Sequence, residues 1–333
     1  MISVLIATRN RGPQLQSQLR SLGALEAPDG GWELLVIDNG SSDGTALLLQ
    51  SLAAEGRLPL RALSEPRRGK SRALNLAVRE TRGDLLAFTD DDAVVQPQWL
   101  RALERAAALH PEAIGFGGRS PALGGPTPVG HGIVNYEHGD RDFEIMSFEK
   151  PPLGVNYAFR RLAFERYGLF REDLGPGSAV QRGDDTEFVR RLWLAGERLR
   201  YVADAVVQHP IHRERLSRGF SLRWRFWVGR SNARLAGRPD AAPAVLGVPR
   251  YLYGALIRET SRVILSLIAF RWGRDFACAQ RLAYDLGLAF EFWSLAPDFN
   301  PTALVPRLVV PALTLGDGSA SAGSPRPFVN TEP

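Results

Sequence analysis

Short apolar segments alternate with amphipathic segments over the first 120 residues of the chain, and this alternation limits the fold more than any other feature. The apolar segments are 3–7, 34–37, 85–88 and 114–117, with a shorter one at 60–63. The segments between them have helical periodicity, as with Leu15, Leu19 and Leu22. Parallel strands are buried on both faces and need crossover helices. We therefore predict an α/β fold with a Rossmann-like, mostly parallel sheet and helices on both faces.

The pattern changes twice further along the chain. Residues 121–150 form an irregular segment, after which helices return at 161–167 and 185–195 and a strand at 199–207. Beyond about residue 216, arginines mix with aromatic and apolar residues in helical patterns. We predict a first domain over 1–215, a helical C-terminal region over 216–312 and a disordered tail over 313–333, which is rich in Gly, Ser, Ala and Pro.

Charge and cysteine content indicate the cell compartment and the partners to expect for this protein. The 333 residues carry a net charge of +5 and include one cysteine, so no intramolecular disulfide can form. We expect a cytoplasmic protein, with its arginine-rich C-terminal helices either packed as a subdomain or lying on the inner face of the cell membrane. No uncharged run reaches the roughly 20 residues of a spanning helix. No recognition motif accompanies the positive charge, so we do not expect a nucleic-acid partner.

Three adjacent carboxylates follow the strand at 85–88. Asp90, Asp91 and Asp92 repel one another, and a divalent cation would remove that penalty. Mn²⁺ or Mg²⁺ binds one or two protein carboxylates together with phosphate oxygens. Because ligands bind at the carboxyl ends of parallel strands, we predict a metal–diphosphate site here. The alternative is a solvated acidic turn.

Other acidic residues have both a structural and a functional interpretation. Asp38 ends the second strand, where it could bind a nucleotide or simply belong to an Asn-Gly turn. Asp184 and Glu187 match a capping box for the following helix. Asp185 is placed to act as a general base toward an acceptor hydroxyl, and a residue can both cap a helix and act as a base.

Basic and metal-ligating residues complete the candidates. Lys70 and Arg72 stand where a helix begins, so they could bind an anion or belong to a solvated loop. His209 follows the last strand and is either a metal ligand or a structural histidine. The spacing of a phosphate-binding P-loop fails, and no GxGxxG follows the first strand, which disfavours a nicotinamide enzyme.

Taken together, these segments resemble the family 2 glycosyltransferases, whose fold is called GT-A. The matching stretches are VLIATRNR (4–11), VIDNGSSDGT (36–45), GKSRALN (69–75), FTDDDA (88–93), GVNYAFR (154–160) and GDDTEF (183–188). They occur in the family's order over about residues 1–215. The QxxRW motif of the processive synthases is absent, since Ser221-Leu222-Arg223-Trp224 lacks the glutamine. A single-addition enzyme is therefore expected.

The resemblance implies a role for each matching residue. The nucleotide-sugar site would contain Ala7, Thr8, Arg9, Asp38, Lys70, Arg72, Asp90 and Asp91. Asp90 and Asp92 correspond to the DxD motif, with Asp92 the main metal contact and His209 a further ligand. Asp185 corresponds to the general base of these inverting enzymes. Asn156 and Asp184 would lie on the acceptor side.

The expected activity is transfer of one sugar, with inversion, from a nucleotide-diphosphate sugar to an acceptor hydroxyl. A UDP-sugar is the expected donor, Mn²⁺ or Mg²⁺ the cofactor, and a sugar, glycan or lipid-linked molecule the acceptor. The rival interpretations are a catalytically silent membrane or scaffold protein with the same fold, and a sugar-nucleotidyltransferase. Such a nucleotidyltransferase would need a glycine-rich basic loop after the first strand, where this chain has only Gly12.

Overall fold

The computed structural model describes residues 1–123, 138–146, 154–237, 244–269 and 276–295. Contacts divide the chain into two compact units. The first unit comprises residues 1–146 and 150–221, and the second comprises 147–149 and the chain from Leu222 onward. The tail predicted over 313–333 lies outside the described residues.

Strands and helices alternate in the first unit as the sequence predicts. Its strands are β1 (Ile2–Thr8), β2 (Trp32–Asp38), β3 (Leu60–Ser64), β4 (Leu85–Phe88), β5 (Val94–Val95), β6 (Ala113–Arg119), β7 (Ala122–Leu123), β8 (Phe143–Glu144), β9 (Tyr157–Arg160) and β10 (Arg198–Pro210). Its helices are α1 (Gly12–Gly23), α2 (Thr45–Ala54), α3 (Lys70–Glu80), α4 (Trp99–Leu109), α5 (Arg161–Tyr167) and α6 (Asp184–Leu194). The second unit contains most of α7 (Arg218–Ala236), then β11 (Ala244–Val245), β12 (Val248–Pro249), α8 (Arg250–Ile268) and α9 (Phe276–Ser294).

One sheet organises the first unit, in the order β3-β2-β1-β4-β9-β6-β10-β5. The strands β3, β2, β1 and β4 are parallel, β9 runs antiparallel between β4 and β6, and β6 is parallel to β10. β1 lies at the centre of the parallel half, and Val4, Leu5 and Ile6 are fully buried there. The carboxyl ends of β1, β2 and β4 therefore meet at one edge of the sheet.

The helices bury the faces that their periodicity predicts. Leu15, Leu19 and Leu22 of α1 are buried in the core, and α4 contributes the fully buried Trp99. Both helices pack in one hydrophobic cluster with the strands of the sheet. Among the described helices of the chain, none is both long enough and apolar enough to cross a membrane.

Candidate active site

Asp90, Asp91 and Asp92, here called the aspartate triad, are joined to the carboxyl end of β1 by a hydrogen bond. Thr8 Oγ1 donates to Asp91 Oδ2 over 2.7 Å, and both residues are buried. Thr8 is also paired with Asp38 at the end of β2, where the Asp38 carboxylate accepts from the backbone N–H of Ser41 at 3.3 Å. Three of the predicted nucleotide-site residues thus share one edge of the sheet. Ala7 and Arg9, on either side of Thr8, are half-buried.

Asp92 has three basic side chains around it, more than either of the other two aspartates of the triad. Its Oδ2 accepts from Arg11 Nη1 at 2.7 Å and lies 3.1 Å from His212 Nε2. Its Oδ1 lies 3.4 Å from His209 Nε2. Burial opposes ionisation, but His209, His212 and Arg11 together hold the pKa of Asp92 well below its usual range. Asp92 is therefore a carboxylate at neutral pH.

Asp91 differs from Asp92 because less positive charge compensates its burial. Burial raises the pKa of Asp91 to about 6, against the opposing effects of Arg11 and the Thr8 hydrogen bond. Asp90 and Asp92 add their negative charge to this rise. The three adjacent carboxylates are thus held in different environments, and Asp91 is the one directed to β1.

Asp90, Asp92 and His209 form a candidate metal centre. One ligand atom from each lies within 4.8 Å of the others. Asp92 Oδ1 is buried, and it lies 3.4 Å from the Nε2 of His209, which is itself a member of the cluster. Two carboxylate oxygens and an imidazole nitrogen are suitable ligands for Mn²⁺, and this buried oxygen has a lone pair left for a cation. The residues present therefore fit a divalent metal.

Lys70 and Arg72 make ion pairs at the start of α3. Lys70 Nζ lies 2.5 Å from Asp90 Oδ1, and Arg72 Nη1 lies 3.1 Å from Glu172 Oε2. Burial works against the charge of Lys70, but Asp90 and Asp184 keep the pKa of this amine well above its usual value. The backbone N–H of Lys70 donates to Pro176 O, so one amide of the helix start is already used within the protein.

The capping box predicted for Asp184 and Glu187 is wrong. Gly183, with φ of +88°, is the N-cap of α6, and no side chain caps the helix. Asp184 is instead the first helical residue and is buried, which raises its pKa to about 6, helped by the charge of Asp185. The glycine takes the N-cap position because its backbone adopts the left-handed conformation without a steric penalty.

Asp185 is held by backbone donors at the same helix end. Its Oδ2 accepts from Gly154 N at 2.9 Å, and its Oδ1 accepts from Thr186 N at 2.7 Å. The side chain is half-buried, so it is oriented and still accessible. Oδ1 also accepts from Thr186 Oγ1 at 3.3 Å, whereas Oδ2 keeps a further lone pair, which a general base needs.

Asn156, predicted on the acceptor side, is fully buried inside the sheet. Its Nδ2 donates to Arg119 O at 2.9 Å and Ala205 O at 2.7 Å, and its Oδ1 accepts from Trp99 Nε1 at 2.9 Å. The register between β6 and β10 shifts at this point, between Val202 and Val206. Asn156 therefore fills a gap in the sheet, and its full burial leaves no polar atom for an acceptor.

Two residues at the site were not predicted from the sequence. Arg11 contacts both Asp91 and Asp92, and His212 contacts Asp92. The available signal for His212 was its spacing, three residues after His209 on the segment that leaves β10. Arg11 lay within a matching stretch, but it follows the strand in a turn whose direction the sequence does not reveal.

Comparison with known proteins identifies the family that this chain is similar to. The chain matches the sequence model of the family described as glycosyl transferase family 2 over residues 3–168. It is 29% identical over 238 residues to the succinoglycan biosynthesis protein ExoM of Rhizobium meliloti, an alignment covering 68% of this chain and 72% of that protein.

Two solved structures share the fold. The mannosyltransferase PcManGT of Pyrobaculum calidifontis, in complex with GDP-Man and Mn²⁺, superposes with a TM-score of 0.59 at 20% identity, over 88% of this chain and 87% of that one. S. aureus TarS 1-349 with UDP-GlcNAc superposes with a TM-score of 0.56 at 18% identity, over 72% and 67% of the two chains.

Proposed function

Because this chain belongs to the family 2 glycosyltransferases and has their GT-A fold, we propose that it transfers one sugar from a nucleotide-diphosphate sugar to an acceptor hydroxyl, with inversion at the anomeric carbon. The carrying observation is the cluster of Asp90, Asp92 and His209, whose ligand atoms lie within 4.8 Å at the carboxyl ends of the parallel strands. These strand ends are where α/β sheets bind nucleotides.

The donor nucleotide would lie along β1 and β2. Ala7 and Thr8 end β1, Arg9 follows it and Asp38 ends β2, and we propose that these residues contact the base and ribose. Asp91 is fixed by Thr8, and Lys70 carries positive charge beside Asp90, where a diphosphate would need it. Arg72 lies two residues after Lys70 on α3 and forms an ion pair with Glu172. We propose a UDP-sugar as the first donor to test.

Asp90, Asp92 and His209 would hold Mn²⁺ or Mg²⁺ through two carboxylate oxygens and Nε2. When bound, such a cation neutralises the charge that develops on the leaving diphosphate. Arg11 already supplies positive charge to Asp91 and Asp92. The solved mannosyltransferase with Mn²⁺ supports this assignment as a fold relative.

Asp185 would act as the general base. It would accept the proton of the acceptor hydroxyl as that oxygen attacks the anomeric carbon, while the bond to the diphosphate oxygen breaks on the opposite face. Gly154 N and Thr186 N fix the direction of the carboxylate. Asp184 is buried beside it, and this burial, together with the charge of Asp185, raises the pKa of Asp184 to about 6.

We propose a saccharide, free or lipid-linked, as the acceptor. Support comes from the succinoglycan biosynthesis protein, whose name places it in the assembly of a polysaccharide. The protein would work in the cytoplasm or at the inner face of the cell membrane.

Calorimetric titration tests the donor site. We expect one of UDP, GDP and dTDP to bind with Mn²⁺ and to lose most of its affinity in EDTA or in Asp92→Ala. Asp84→Ala is the matched control, because Asp84 precedes the same strand β4 at its opposite end. If folded protein bound no nucleotide with either metal, the proposal would fail.

Binding and rate measurements on Asp185→Asn separate the role of the general base from that of the donor site. Asp185→Asn should bind the nucleotide as the wild type does, yet release nucleoside diphosphate from the sugar donor about 10²–10⁴ times more slowly. Equal rates for wild type and Asp185→Asn would show that Asp185 is not the general base.

A further inference from the structure

The buried face of α8 carries Leu252, Glu259 and Ser266, whereas several large apolar side chains of this helix are exposed. Glu259 and Ser266 are on its buried face, and both are less than 5% exposed. On the opposite face, Ile257 and Ile268 are each 68% exposed and Ile264 is 50% exposed. A helix that packs on an ordinary soluble core shows the reverse distribution.

The exposed isoleucines of α8 lie in one stripe that Ser261 interrupts. Ile257, Ser261, Ile264 and Ile268 follow at spacings of four, three and four, so they align over three turns on one side of the helix. Leu265 is also more than half exposed beside them. An apolar stripe of this length is not a scatter of single surface residues, which would need no explanation.

The helix α9 shows the same arrangement. Leu286, Phe290 and Trp293 recur at spacings of four and three, and all three are exposed. Glu291 of the same helix is fully buried, where it accepts from Arg230 Nε at 2.7 Å and also pairs with Arg234. The buried charge of Glu291 is thus satisfied by ion pairs inside the unit, as buried charges must be. Phe292 beside it packs in the small core of the unit, whereas Leu286, Phe290 and Trp293 stay outside.

Positive charge is concentrated in the same part of the chain. Residues 222–295 contain eleven arginines and five acidic residues, whereas the whole chain has a net charge of only +5. The arginines that surround the buried Glu259, namely Arg258, Arg262 and Arg281, keep more than half of their side chains exposed. A partner for this surface must therefore be both apolar and anionic.

We propose that the exposed faces of α8 and α9 bind an anionic phospholipid surface. Apolar side chains would enter the boundary of the acyl chains, while the exposed arginines and Trp293 would lie at the headgroups. A second copy of the chain is disfavoured as the partner, because it would bring like charge against like charge. The inference deepens the proposed function, in which the inner face of the cell membrane is one of two locations, and neither the donor site nor the base takes part in it.

Vesicle co-sedimentation of the full chain tests this proposal. We expect binding to vesicles of phosphatidylcholine with phosphatidylglycerol, and weaker binding to phosphatidylcholine alone or at high salt. The triple variant Ile257→Gln/Ile264→Gln/Ile268→Gln should lower the affinity for the anionic vesicles at least about tenfold. Leu47→Gln/Leu109→Gln is the matched control, because it removes two exposed leucines of the first unit and should bind like the wild type.

Three results would overturn the proposal. These are no binding of the wild type to anionic vesicles, unchanged binding of the triple variant, and a dimer in light scattering that the triple variant dissociates. The single variants Ile257→Gln and Ile268→Gln replace the triple variant if it folds poorly. Nucleotide titration of the same variants reads the donor site alone, so a failure of the proposed function is distinguishable from a failure of membrane binding.

Discussion

Arg11 and Asp92 are 81 residues apart in the sequence, yet Arg11 Nη1 lies 2.7 Å from Asp92 Oδ2. The same guanidinium lies 3.2 Å from Asp91 Oδ1, so one cation serves two adjacent carboxylates. Asp90, Asp91 and Asp92 would repel one another strongly without it. In the protein without metal, Arg11 is thus a built-in counter-ion of the triad.

Arg11→Gln should therefore destabilise the metal-free protein. We expect the free energy of unfolding in EDTA to fall by about 1–2 kcal/mol, because two carboxylates lose a charge partner. Saturating Mn²⁺ should restore most of this loss. Thermal unfolding with and without Mn²⁺ measures both effects, with Arg57→Gln as an exposed control. A loss of equal size in both conditions would contradict the counter-ion role.

The raised pKa of Asp184 predicts that the stability of the protein depends on pH. Its burial raises the pKa to about 6 in the folded protein, above the value of about 4 expected when unfolded. The folded state thus binds a proton more tightly than the unfolded state, so this contribution to stability is complete below about pH 4 and is lost as the pH rises through about 6.

Asp184→Asn should consequently flatten the stability profile. Relative to the wild type, the variant should gain about 1–3 kcal/mol of unfolding free energy between pH 4.5 and 7.5. Urea unfolding at a series of pH values measures this difference, and Asp29→Asn provides an exposed control. Parallel profiles for wild type and Asp184→Asn would show that the carboxyl is not held protonated by burial.

Asn156→Ala tests whether this side chain is structural. The substitution leaves the Trp99 indole N–H and the carbonyls of Arg119 and Ala205 without their partner in the sheet. We expect a loss of about 2–4 kcal/mol in chemical unfolding. Gln98→Ala, which removes an amide bonded to the exposed Glu26, should change stability by less than about 0.5 kcal/mol. Lost sugar transfer at unchanged stability would instead support the acceptor-side role.

Two glycines set the distance between α7 and α9. A Cβ on Gly287 would lie 2.0 Å from Phe226 O, and one on Gly229 would lie 2.1 Å from Tyr284 O. Gly287→Ala should therefore force the helices apart and cost at least about 3 kcal/mol, at the upper end of overpacking penalties. Gly254→Ala is the control: nothing lies within 4 Å of its Cβ, so it should stabilise α8 by about 0.5–1 kcal/mol. Similar melting temperatures for the two variants would contradict the close packing.

The sequence was sufficient for the parallel strands of the sheet and for the region of the site, but not for β9, which runs antiparallel between β4 and β6. Apolar periodicity is a local property, and it placed the strands β1, β2, β4 and β6 and the buried face of α1 correctly. The carboxyl ends of parallel strands share an edge in any such sheet, so Thr8, Asp38 and the aspartate triad were expected together before any distance was known. The resemblance to family 2 glycosyltransferases rests on these same local stretches.

Only the tertiary structure decided which polar groups meet. The register shift in β10 gives Asn156 its partners, and the turn after β1 directs Arg11 at Asp92. The inward positions of Glu259 and Glu291 likewise depend on arginines from other helices or turns. Sequence patterns report the preference of each residue for water or for the interior, whereas a buried charge is stabilised by partners far along the chain. The identity of those partners is therefore a property of the folded protein alone.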